Sequence, residues 1–98
     1  MPEHREMKES YIEGRCRAMA WKRCVLLLKI NRMTGWPDRV MISAKAGPVF
    51  VEMKTPTGRL SPAQVVVHRN LREEGFQVEI IRSTKEFKTL LDKVAPAD

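Results

Sequence analysis

From residue 49 to residue 54 the chain reads VFVEMK, with aliphatic side chains at 49, 51 and 53 alternating with a phenylalanine, a glutamate and a lysine. Alternation with period two predicts a strand, because successive side chains point to opposite faces. Val49, Val51 and Met53 then turn towards a core. Glu52 and Lys54 project together on the other face, about 7 Å apart at their bases at the rise of a strand. FQVEII (76–81) alternates in the same way, DRVMIS (38–43) begins another strand, and the continuous apolar run CVLLLKI (24–30) reads as a buried one. The AKAGP connection is short, so the strands on either side of it should form an antiparallel hairpin.

Helical spacing accounts for the remaining segments. Ile12, Cys16, Met19 and Ala20 recur as one narrow stripe of a helix that runs to about Arg23 and is basic on its other face. The SYIE tetrad (10–13) offers Ser10 as its cap, with Glu13 completing a capping box. Ser61, followed by Pro62 at the first helical position, opens a second helix that Gly75 stops. A third helix near Thr84 to Val94 buries Phe87, Leu90 and Leu91. The order is helix, three strands, helix, strand, helix. Glycine and proline fall at element boundaries rather than in linkers, so residues 1–98 read as one α/β domain.

A chain of 98 residues buries roughly 60% of its unfolded surface, a modest core that dimerisation would enlarge. With 43% hydrophobic and 31% charged residues it belongs with globular rather than disordered proteins. Eighteen Lys and Arg against twelve Asp and Glu leave a net charge of +6, which favours a polyanionic partner such as nucleic acid. The charges are scattered, so any phosphate-binding surface has to be assembled by the fold. Cys16 and Cys24 have no second Cys/His cluster near them, and read as reduced packing residues rather than zinc ligands or a disulfide. MPEHREMKES is unlike a signal peptide and VLLLKI is too short to cross a bilayer, so a cytoplasmic protein with no membrane partner is expected.

Glu-x-Lys on a strand is, by itself, more often an exposed pair worth about 0 to 1 kcal/mol. The Pro37-Asp38 dipeptide changes that reading. Thirteen residues separate Asp38 from Glu52, a spacing by which two adjacent strands can bring both carboxylates and Lys54 to one place. Asp38 and Glu52 could jointly hold Mg²⁺, a hard cation that takes carboxylate, water and phosphate oxygens, with Mn²⁺ able to substitute. Such a set suits phosphodiester hydrolysis, with Lys54 positioning the attacking water or stabilising charge on phosphorus.

GWPDRV, then VFVEMKTPTGRLSPAQ, then a helix with His68 and Leu71 ending in GFQVEII, resembles the virus-type replication-repair nuclease domain, VRR-NUC, of the PD-(D/E)xK nuclease superfamily in its stand-alone type. The resemblance spans residues 9 to about 91. It implies a restriction-endonuclease-like αβββαβ core with a mixed sheet, followed here by the C-terminal helix. It further implies that Asp38 and Glu52 are metal ligands, with the Met53 carbonyl as a third, that Lys54 is catalytic, and that Gln64 lies beside them. Without the resemblance, Gln64 reads as a solvent-facing helix amide. A first-helix glutamate completes the family's site: Glu9 fits, with Glu13, about one helical turn away, as the rival.

Arg32, Arg39, Lys45 and Arg59 lie in or beside loops flanking this centre. Each alone reads as a solvated charge, and as a group they read as DNA backbone contacts. His68 reads as a packing or surface residue. Trp36 reads as packing, as a shield for the metal or as a base-stacking ring. The expected protein is a Mg²⁺-dependent, structure-selective DNA endonuclease acting on branched DNA as a homodimer, with Holliday junctions as its target. Part of the Val65–Val66–Val67 run would face the second copy. The alternatives are a nuclease of flaps or general duplex DNA, and a non-catalytic nucleic-acid-binding module with the same fold. The last has no physical need for acids against phosphate.

Overall fold

In the computed structural model, which describes residues 9–45 and 47–96, the chain runs α1 (Glu9–Lys22), β1 (Leu26–Lys29), β2 (Arg39–Ile42), β3 (Val49–Met53), α2 (Pro62–Glu73), β4 (Gln77–Ile81) and α3 (Thr84–Val94). The strands form one sheet in the order β1-β2-β3-β4. Strand β2 pairs antiparallel with both β1 and β3, and β3 pairs with β4 in parallel, so the sheet is mixed, as expected. A parallel neighbour requires a crossover, and α2 provides it. The expected hairpin is present, with Val40 opposite Phe50 and Arg39 opposite Val51.

The alternation in β3 divides the molecule into two layers. Val49, Val51 and Met53 are buried with Ile12, Cys16 and Ala20 of α1 and Phe87, Leu90 and Leu91 of α3, which together form the main core. On the opposite face Phe50 packs edge-on between Trp36 and Phe76, at ring-centroid distances of 6.0 and 5.9 Å. Beside this aromatic cluster α2 buries His68 and Leu71. The loop before β2 runs so close to α2 that a Cβ on Gly35 would meet the Ala63 carbonyl oxygen at 2.7 Å, and its φ of +82° also calls for glycine.

Helix ends follow local chemistry. Ser61 caps α2 in a full capping box, with the Ser61 hydroxyl accepting from the Gln64 amide and Gln64 Oε1 accepting from the Ser61 amide. Gly75 (φ +95°) ends the helix, its N–H donating to the Arg72 carbonyl and that of Phe76 to the Leu71 carbonyl. The same pattern closes α1, with Cys24 in the left-handed position at φ +58°. Arg23 then ties the two core helices together, donating to Asp92 at 2.7 Å and to the Ala95 carbonyl at 3.2 Å.

Three expectations are corrected here. The apolar run in β1 is an edge strand rather than a buried one: α1 covers Leu27, but Leu26 and Leu28 face outward, 55% and 44% exposed, because α2 lies over the β3–β4 half of that sheet face. Cys24 is exposed at the turn, and only Cys16 packs in the core, where burial and the Glu13 charge push its thiol up to about 12. Ser10 lies within α1 and Glu13 pairs with Arg39, so the expected capping box does not form. Among the described residues no helix is long and apolar enough to cross a membrane.

Candidate active site

Strand directions decide what meets at one end of the sheet. β3 and β4 finish there, β2 begins there, and the Ile30 amide donates to the Asp38 carbonyl where the chain leaves β1 and enters β2. Asp38 directly precedes β2, and Glu52 is the penultimate residue of β3. Both oxygens of the Asp38 carboxylate accept from the Met53 amide at 3.2 Å, and the Asp38 and Glu52 carboxyls lie close enough for each to shift the other's titration. Backbone pairing thus supplies the register, and the Met53 N–H fixes Asp38 within it.

Glu52 is 3% exposed, and its Oε1 lies 3.1 Å from His68 Nε2 on α2. Burial and then the Asp38 charge push its carboxyl up to about 8, against the opposing pull of Lys54, which projects from the same face of the strand. Burial likewise raises Asp38 to about 6, although the Met53 amide favours its charged form. Two carboxyls held this closely share protons, and their titration belongs to the pair. His68 is held below its ordinary value by burial and by the Arg72 and Lys54 charges.

Glu9, in the first turn of α1, is near enough for its charge to raise both Asp38 and Glu52. The rival Glu13 is committed to a pair with Arg39. Gln64 lies one helical turn before His68 on α2, hence on the same helix face, and its side-chain oxygen is engaged in the capping box. Lys54 leads into a tight turn whose Gly58 amide donates to the Thr55 carbonyl at 3.1 Å, and Arg82 donates to the carbonyls of both Thr55 and Gly58.

This geometry sets two of the expected DNA contacts apart from the carboxylates. Arg39 is 5% exposed and points to the core side, where Glu13 neutralises it, so it has no surface to offer a phosphate. Lys45 donates to the Pro96 carbonyl at 3.1 Å from the β2–β3 turn, the opposite end of the sheet from the carboxylates. The four residues of β2 alone separate the two ends by roughly 13 Å. Arg32 and Arg59 are exposed in loops at the carboxylate end.

Sequence reasoning passed over the contact from His68 to Glu52 and the clamp from Arg82. The placement of His68 four residues after Gln64, on one helix face, is a usable signal. Nothing local marks Arg82, whose partners lie 24 and 27 residues away.

The VRR-NUC domain family model matches residues 3–85, most of the chain. The chain belongs to the VRR-NUC family. A solved structure described as a VRR-NUC domain superposes with a TM-score of 0.74 at 23% identity, covering 86% of this chain and 94% of the other, and so shares the fold. No curated protein matches the chain. VRR-NUC is a nuclease domain, so this member has a nuclease-type function, with DNA as the substrate such a domain implies.

The donor set of this VRR-NUC domain can be tested against a divalent cation. Among the described residues no group of three or more His, Cys, Asp or Glu is arranged to hold a metal alone. Mg²⁺ does not require one, since it commonly takes one or two carboxylates and completes its shell with water and substrate phosphate. Asp38 and Glu52 fit that pattern, being two oxygen donors held together with no Lys or Arg ion-paired to either among the described residues.

Proposed function

We propose that this VRR-NUC domain is a Mg²⁺-dependent, structure-selective DNA endonuclease that acts as a homodimer on four-way junctions, with Mn²⁺ able to replace Mg²⁺. The pairing of half-buried Asp38 with buried Glu52, with Lys54 on the same strand face, carries this reading. A pair of acids facing a polyanion is repulsive without a cation, and a cation makes it a phosphate-binding site.

Asp38 and Glu52 would hold the ion, with the Met53 carbonyl and Glu9 as the further protein donors. When bound, the ion supplies Lewis-acid polarisation of the scissile phosphate and activation of water. Lys54 directs its ammonium group at charge developing on the phosphate in the transition state, and Gln64 orients water or phosphate from the start of α2. Arg82 steadies the turn that follows Lys54 through the Thr55 and Gly58 carbonyls. Arg32 and Arg59 contact the DNA backbone and fix its register without reading sequence.

Resolution of a junction needs two incisions on opposed strands, and a two-fold dimer holds two centres in a fixed relation. Exposed Leu26, Leu28 and Ile42 on the uncovered half of the sheet, with Val65 and Val66 on α2, offer the apolar surface for the second copy. The test is cleavage of four-way, flap and linear duplex DNA with Mg²⁺, beside a Glu52→Gln control. Paired, roughly symmetric cuts in the four-way substrate are expected. Equal cutting of all three substrates would leave a general nuclease, and DNA binding without cleavage would leave a binding module.

A further inference from the structure

We propose that His68 is a positioning residue of this centre: its Nε2–H, delivered from α2, holds Glu52 Oε1 and leaves the other carboxylate oxygen for the cation shared with Asp38. The inference rests on the nuclease reading above and adds a residue to it.

A glutamate at the end of a strand has three side-chain torsions, and the last is broad rather than confined to staggered wells. Glu52 therefore needs something besides its backbone to set the plane of its carboxylate. His68 is 1% exposed and lies 3.1 Å from one oxygen only. A carboxylate that holds a cation is ionised and only accepts, so with the cation in place the imidazole nitrogen facing it carries the proton. That tautomer leaves Nδ1 as a bare acceptor, and Nδ1 is buried without a hydrogen-bond partner. The opposite tautomer would set a lone pair against the carboxylate and bury an unpaired N–H.

Packing alone does not account for an imidazole at this position. Leu71 fills the neighbouring position on the buried face of α2, and an apolar residue at 68 would occupy similar space without leaving a nitrogen unpaired. What the ring adds is one directed donor on the carboxylate that a cation needs held still. Partners of this kind in metal sites are worth about 10- to 100-fold in affinity.

Calorimetric titration with Mn²⁺ at fixed pH, on wild type, Glu52→Gln, His68→Leu and His68→Gln, tests the proposal. Thermal melting of each metal-free protein and a long-range ¹H–¹⁵N spectrum of wild type saturated with diamagnetic Mg²⁺ accompany it. The expected results are a loss of Mn²⁺ affinity of about 10- to 100-fold in His68→Leu, substantial recovery in His68→Gln, whose amide N–H can replace Nε2–H, and a wild-type spectrum of the Nε2-protonated tautomer. Mn²⁺ affinity in His68→Leu equal to wild type, or an Nδ1-protonated ring, overturns the positioning role while leaving the nuclease centre intact. Wild type that binds no Mn²⁺ overturns both. If His68→Leu does not fold, His68→Gln and the tautomer decide: weak binding by a folded His68→Gln with an Nδ1-protonated wild type sinks the proposal.

Discussion

Asp38 and Glu52, with thirteen residues between them in the chain, approach each other at one end of the sheet, and both carboxyls are held above their ordinary ranges. Antiparallel pairing of Arg39 with Val51 puts the preceding and following residues side by side, and the Met53 amide turns the Asp38 carboxylate towards its neighbour. Burial makes the pair costly when both are ionised, and a divalent cation offsets that cost.

Glu52→Gln is expected to keep the fold and lower Mg²⁺-dependent cleavage by more than about 100-fold, beyond what outer partners of metal ligands typically cost. The amide has nearly the same shape but is a poorer ligand for a hard cation. Circular dichroism with a junction-cleavage assay checks both halves. Unchanged turnover removes the central claim.

The metal-free protein should lose stability as pH rises. Both folded values, about 6 for Asp38 and about 8 for Glu52, exceed the ordinary 3.8 and 4.5, so the folded state retains protons that the unfolded chain has released. The stability linked to the pair is complete below about pH 4 and is lost as pH climbs through 6 and 8. Melting curves from pH 5 to 9 should show wild type losing ground to Glu52→Gln, and Mg²⁺ should restore wild type most at the alkaline end. Parallel curves for the two proteins would contradict this.

Lys54→Ala should reduce kcat by about 10²- to 10³-fold, the usual effect of removing one group that stabilises transition-state charge. DNA affinity should change little, because Lys54 is one of eighteen basic residues, and the salt slope of binding should fall by about 1 at most. Comparable losses in binding and cleavage would recast Lys54 as a phosphate anchor.

The Arg39–Glu13 pair makes a prediction about stability rather than activity. Glu13→Ala strands a guanidinium that is 7% exposed, at an expected cost of about 3 kcal/mol, the low end for a broken buried pair because Glu13 itself is 25% exposed. Arg39→Met, which replaces the charge with a flexible apolar side chain, should cost less. Urea denaturation gives the ranking, and the reverse order would refute it.

Leu28→Glu places a charge on the uncovered sheet face and should weaken a dimer that uses it, since the core of an obligate interface is depleted in charge. Light scattering at assay concentration, run beside junction cleavage, should show a shift to monomer together with a change from paired cuts to single nicks. An active wild type that is strictly monomeric refutes the dimer outright.

The sequence by itself determined whatever is local. Two-residue alternation defined β3 and its faces, Ser61, Pro62 and Gly75 bounded α2, and the 3.6-residue stripe selected Ile12, Cys16 and Ala20 for burial. Each of these patterns is complete within one or two turns of helix or one strand, so no distant contact is needed to read it. The Asp38–Glu52 approach was also legible, because a short turn enforces a hairpin and a hairpin enforces register. Only the tertiary structure decided which apolar surface is covered, and so β1 became an exposed edge when α2 took the other half of the sheet. It also separated basic residues that composition cannot tell apart: Arg39 was drawn inward by Glu13, Lys45 was carried to the far end of β2, and Arg32 and Arg59 stayed beside the carboxylates. The 3.1 Å contact between His68 and Glu52 belongs to the same class. It depends on how α2 is set down on the sheet, and that docking comes from the packing of Gly35 under Ala63 and of Phe50 between Trp36 and Phe76, contacts between segments that carry no shared periodicity.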